Sequence, residues 1–109
     1  MSGITTHVLD TTHGKPAPGI GVRLERYDED SWLVLAESAT DADGRCRNLC
    51  PEARAGLYRL TFSVAAYFND RARSSIYPEI CITFECRGEE HYHLPLLLSD
   101  NSYTTYRGS

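Results

Sequence analysis

His91-Tyr92-His93-Leu94-Pro95-Leu96-Leu97-Leu98-Ser99 is the stretch whose reading decides the fold. Side chains alternate across a strand with period two, so Tyr92, Leu94, Leu96 and Leu98 share one face and His91, His93, Pro95 and Leu97 the other. The leucine face is a core face, which puts His93 on the opposite surface of the sheet. Beyond Ser99 the sequence reads as a turn and then a second short strand within Tyr103-Thr104-Thr105-Tyr106-Arg107-Gly108-Ser109. A frayed end would be polar, Gly/Ser-rich and mobile, whereas this one carries aromatic, cationic and hydroxyl groups.

The same period organises the rest of the chain. Thr6 and Val8 face away from Thr5, His7 and Leu9, which gives a strand over Thr5 to Asp10 with His7 off the Val8 side. Turn formers fill Thr11 to Gly19, where Pro16 and Pro18 lack a ladder donor, so this segment reads as a loop. Gly21 to Tyr27 alternates and, through an Asp28-Glu29-Asp30-Ser31 turn, forms a hairpin with Trp32 to Thr40. Asp41-Ala42-Asp43-Gly44 closes a tight turn into a short edge-type strand, Arg45 to Leu49, which Pro51 stops. Gly56 to Val64 sets Tyr58, Leu60, Phe62 and Val64 on one face, and Ile80 to Cys86 does the same with Ile80, Ile82, Phe84 and Cys86 before an Arg87-Gly88-Glu89-Glu90 turn. Between them, Ala65 to Arg73 breaks the alternation and reads as the one short helix. About eight short strands, with turn signals every ~8–12 residues, predict an all-β sandwich or barrel rather than a βαβ sheet.

Bulk properties narrow the function. The 109 residues suit a single domain, residues 1–109, at 41% hydrophobic and 24% charged content typical of a soluble globular chain. No apolar run approaches the roughly 20 residues of a membrane span. A net charge of −4 with scattered Lys and Arg argues against nucleic acid as a partner, since a binder shows a basic stripe. Met1-Ser2-Gly3-Ile4 lacks the pattern of a secretory signal and Arg107-Gly108-Ser109 is not a peroxisomal address, so the cytoplasm is expected; a peroxisomal or periplasmic home would need a targeting segment removed from this sequence. The four cysteines, Cys46, Cys50, Cys81 and Cys86, read as free thiols, because a chain this long can build a core without disulfides.

Three chemistries compete for the remaining functional side chains. His91 and His93 point the same way at i, i+2, and His7 could complete a three-His metal site, but no carboxylate is obviously placed beside them. The cysteines depart from zinc-site spacing, and aligning Gly44 to a calcium loop puts Ala39 and Cys50 at ligand positions, so neither metal reading holds. Metal-free hydrolysis needs an imidazole to take a proton from water and a guanidinium with hydroxyl groups to hold an oxygen-rich substrate. His7, His93, Arg45, Tyr106 and Ser109 supply those groups.

Thr5-Thr6-His7-Val8-Leu9-Asp10 with Gly14-Lys15-Pro16-Ala17 resembles the N-terminal signature of the transthyretin-related 5-hydroxyisourate hydrolases. His91 to Ser99 and the terminal Tyr106-Arg107-Gly108-Ser109 resemble that family's second signature, and Asp43-Gly44-Arg45 its central motif. The resemblance implies a two-sheet β-sandwich of about eight strands and one short helix, assembled as a homotetramer, a dimer of dimers with a central channel. It implies hydrolysis of 5-hydroxyisourate to 2-oxo-4-hydroxy-4-carboxy-5-ureidoimidazoline in urate degradation, with no cofactor and no metal. His7, Arg45, His93 and Ser109 would be catalytic, and His7, Arg45 and Tyr106 would bind substrate. Ser99-Asp100-Asn101 departs from the family's usual Ser-Pro, and Thr104 stands where Ser is common; both touch the last turn. The alternative is a transthyretin-like carrier using the same channel for a small ligand, which the polar His7, His93, Tyr106 and Arg45 disfavour.

Overall fold

A computed structural model describes residues 3–88 and 90–108. The first alternating run is β1 (Ile4–Asp10), with Ile4, Thr6, Val8 and Asp10 buried and Thr5, His7 and Leu9 half-buried on the other side. The turn-rich stretch after it is not wholly a loop: β2 (Lys15–Pro16) pairs back onto Leu9 and Asp10. Proline fits there because β2 lies at the sheet's edge, where a missing donor costs no ladder bond. β3 (Gly21–Asp28) and β4 (Ser31–Ala39) form the expected hairpin, turning through Glu29 and Asp30 at positive φ. β5 (Arg45–Cys50) pairs with β1, and β6 (Gly56–Ser63) buries Tyr58, Leu60 and Phe62. α1 (Ala65–Asn69) is shorter than the sequence suggests: five residues, without a capping side chain, before the chain turns at Asp70 to Arg73. β7 (Glu79–Cys86), β8 (Tyr92–Leu98) and β9 (Tyr103–Thr105) complete nine strands among the described residues.

The strands form two sheets. One runs β4-β3-β6-β7, all antiparallel; the other runs β2-β1-β8-β9, with β5 also on β1. Every pairing is antiparallel except β1 with β8, which are parallel from Ile4 opposite Tyr92 to Asp10 opposite Leu98. The core lies between the sheets, where Val8, Leu94, Leu96 and Leu98 meet Leu24, Tyr58, Leu60 and Phe62, all buried. Burial of each such side chain contributes about 1.5–3 kcal/mol. This is the all-β sandwich expected, and none of its described helices is long and apolar enough to cross a membrane. The sheet holding β1, β5 and β8 presents its other face away from the core, with Thr5, His7, Arg45 and His93 on it.

Candidate active site

Directly opposed residues in a ladder project on the same side of a sheet. His7 stands opposite Arg45 in the β1–β5 pair, and Thr5 opposite His93 in the parallel β1–β8 pair. Residues 86 to 88 positions apart in sequence therefore share one face. Period two adds Arg47 beside Arg45 and His91 beside His93. An open cleft of about 420 Å³ on this face is lined by Thr5, Thr6, Arg45, Arg47, His91 and His93. Among the described residues no carboxylate pairs with the Arg45 guanidinium, so its five donors remain available to an oxygen-rich ligand.

His7 Nε2 lies 2.9 Å from the backbone carbonyl of Asp43. A carbonyl only accepts, so His7 holds its proton on Nε2 and neutral His7 has its lone pair on Nδ1. The carbonyl is fixed by the preceding turn: Asp43 N and Arg45 N both donate to Asp41 Oδ1, at 2.9 and 3.0 Å. Those backbone donors, Arg45's first, and the Arg47 guanidinium 3.0 Å away hold the Asp41 carboxyl below its ordinary value, although slight burial opposes them. Gly44 locks the turn against β1, because its carbonyl accepts from Val8 N at 2.7 Å and its φ is +76°. A Cβ at Gly44 would stand 2.4 Å from the Val8 carbonyl oxygen, so only glycine fits.

His93 is half-buried and bounded on two edges. Its Nδ1 is 2.8 Å from Thr5 Oγ1, which also lies 3.1 Å from His91 Nε2. Its Cδ2 edge faces Gly108, where a Cβ would come within 2.8 Å, and Gly108 N donates to the His93 carbonyl at 2.7 Å. Burial, and then the charges of Arg45, His7 and His91, push the His93 imidazole below its ordinary value of 6.5. The C-terminal segment is strapped to β8: Arg107 Nη2 donates to Glu90 Oε1 at 3.1 Å and the His91 carbonyl at 3.3 Å, with its guanidinium 4.2 Å over the Tyr92 ring.

The structure thus brings Arg45 and His93 into one cleft. His7 and Tyr106 lie outside its lining, His7 across the ladder from Arg45 and Tyr106 two residues before Gly108, at 53% exposure. Ser109 falls outside the described residues. Thr5 and Arg47 were absent from the sequence reading of the chemistry, although alternation from His7 and from Arg45 points to both. Among the described residues no three His, Cys, Asp or Glu side chains are grouped to hold a metal ion, so the three-His arrangement does not form.

Residues 4–108 match the HIUase/Transthyretin family. A 5-hydroxyisourate hydrolase of Salmonella typhimurium is 44% identical over 97% of this chain and 80% of its own. A solved structure of the Klebsiella pneumoniae 5-hydroxyisourate hydrolase is 39% identical, covers 100% of both chains and superposes with a TM-score of 0.87. The crystal structure of transthyretin from Sparus aurata gives a TM-score of 0.93 at 31% identity over 99% of this chain and 97% of its own. Fold likeness alone does not separate the two branches. With the match spanning nearly every residue and relatives well above 30% identical, the chain belongs to the HIUase/Transthyretin family.

Proposed function

We propose that this chain is a cyclic amide hydrolase that opens 5-hydroxyisourate to 2-oxo-4-hydroxy-4-carboxy-5-ureidoimidazoline. The observation that carries the reading is an Arg45 guanidinium without a carboxylate partner among the described residues, sharing one sheet face with two imidazoles, His7 opposite it on β1 and His93 in the same cleft. The 44% identity to a relative named for this activity supports the same choice.

In this reading water attacks a ring carbonyl of the substrate. His7 takes the water proton on Nδ1, the atom its bond to the Asp43 carbonyl leaves free. Arg45 stabilises the oxyanion as the new C–O bond forms, His93 orients or donates a proton, and the ring C–N bond breaks as its nitrogen is protonated. Tyr106 positions the heterocycle. Ser109 contributes its hydroxyl or the chain-terminal carboxylate. The chemistry needs no group beyond the protein's own. We place the working unit in the cytoplasm as a homotetramer, a dimer of dimers whose channel is walled by these faces; the half-exposed Tyr106 is the kind of aromatic that interfaces cover.

The carrier alternative draws on the likeness to transthyretin. Against it, a face bearing His7, Arg45, Arg47, His91 and His93 is costly for an apolar ligand to desolvate. Mixing the protein with freshly generated 5-hydroxyisourate and following its ultraviolet decay separates the two: the enzyme accelerates decay over the spontaneous rate, and a carrier does not. His7→Ala, Arg45→Ala and His93→Ala are each expected to slow turnover by roughly 10²–10⁴ while leaving the far-ultraviolet circular dichroism unchanged. Near-full turnover in all three would overturn the assignment.

A further inference from the structure

One hydroxyl touches both histidines of the cleft, His93 in β8 and His91 just before it. Thr5 Oγ1 is 2.8 Å from His93 Nδ1 and 3.1 Å from His91 Nε2. A threonine hydroxyl has a single proton to give, so it can donate to one ring and must accept from the other if both bonds are satisfied. The proton order in this row fixes which nitrogen of His93 carries hydrogen, and therefore what that ring offers the cleft.

We propose that Thr5 is the positioning residue of His93, accepting from His91 Nε2–H and donating to His93 Nδ1, so that neutral His93 keeps its proton on Nε2 and meets the cleft as a hydrogen-bond donor. Both contacts have hydrogen-bond length, and two considerations favour this order. His91 is exposed, and whenever it is protonated both its nitrogens can only donate, which leaves the Thr5 hydroxyl proton free to face His93. Finally, Thr5 replaces the carboxylate that commonly orients a catalytic imidazole, and a neutral orienting group does not stabilise imidazolium. A ring already held below 6.5 by burial and by the Arg45, His7 and His91 charges stays neutral and suits donation rather than proton uptake. Gly108 closes the opposite edge, so the ring has no room to flip without displacing the terminal strap.

The consequence for turnover rests on the hydrolase reading, whereas the proton position does not. Long-range ¹H–¹⁵N correlation spectra of the ¹⁵N-labelled protein without substrate report the tautomer directly. The expected result is His93 protonated on Nε2 and bare on Nδ1, with Thr5→Val producing a tautomer mixture and Thr5→Ser restoring the single form. Valine keeps the β-branched shape on β1, so folding is preserved, and serine tests the hydroxyl by itself. In turnover of 5-hydroxyisourate, Thr5→Val should lower kcat about 10- to 100-fold with little change in KM, and Thr5→Ser should recover most of it. A wild-type His93 carrying its proton on Nδ1, or a spectrum unchanged by Thr5→Val, overturns the proposal. Absence of any turnover by the wild-type protein would sink the hydrolase reading and leave the spectral result standing.

Discussion

Gly108 lacks a side chain at a point where His93 leaves no space for one. An added methyl would stand 2.8 Å from His93 Cδ2, and the ring, held at its other edge by Thr5, can yield only by breaking that bond. Gly108→Ala is therefore expected to reduce kcat about tenfold to hundredfold with a small change in melting temperature, a split that steady-state kinetics and thermal unfolding would show. Proton balance at the same ring gives a second expectation. Its value in the folded chain lies below 6.5, so the unfolded chain takes up the proton first as pH falls; His93 adds stability above pH 6.5 that is lost as pH drops through the lower folded value. The part of the activity's acid limb that His93 sets should lie below pH 6.5, and a His93 substitution that left the limb unchanged would contradict it. Much of this site was legible beforehand: alternation in Thr5 to Asp10 and His91 to Ser99 put His7 and His93 off the core face. The same alternation put Thr5 on that face but did not give its role, because a hydroxyl has no chemical signature until its two partners, 86 and 88 residues away, are known.

At the scale of elements, period two read β6, β7 and β8 correctly, since each has one face against the core. It could not say which strands are neighbours. The parallel β1–β8 pair joins the two ends of the chain with no short turn to announce it, and β2 is too brief for any periodicity. The helix stops at Asn69 and the chain turns through Ala72 at φ +54°; Arg71 lies 3.7 Å over the Tyr67 ring, and Arg73 forks onto Asp10 and Asp100. Asp10, 1% exposed at the end of β1, also accepts from Tyr67 at 2.7 Å. Burial pushes its carboxyl up, but the Arg73 and Tyr67 bonds outweigh burial and hold it at about 2. Folded below its unfolded value of 3.8, it supplies about 2 kcal/mol that is present above pH 4 and lost as pH falls toward 2. Asp10→Ala leaves Tyr67 and one arm of Arg73 unpaired in the interior and should cost about 3–5 kcal/mol in urea unfolding at pH 7. It should also flatten the acid limb below pH 4. A variant as stable as the parent would mean the network is incidental to how β1, α1 and the β8–β9 turn are joined.

For the whole molecule, the two faces of one sheet divide the labour. The Leu94, Leu96 and Leu98 side closes the sandwich, while the Arg45 and His93 side is an open cleft that a single chain cannot shield from water. Electrostatic stabilisation of a developing oxyanion is strongest where water is excluded, so an open cleft gains from a second surface facing it. Half-exposed Tyr106 lies two residues before Gly108, which borders His93, and in the proposed assembly another copy covering it would remove apolar area from water as it walled the site. The proposed tetramer of 12.2 kDa chains would have a mass of about 49 kDa, which light scattering across a dilution series would detect. Subunit association is set by concentration, so turnover per chain should fall over the same dilution range in which the mass falls. A 12.2 kDa species that kept full turnover per chain would show that one open cleft suffices and that the facing copy contributes nothing to the chemistry.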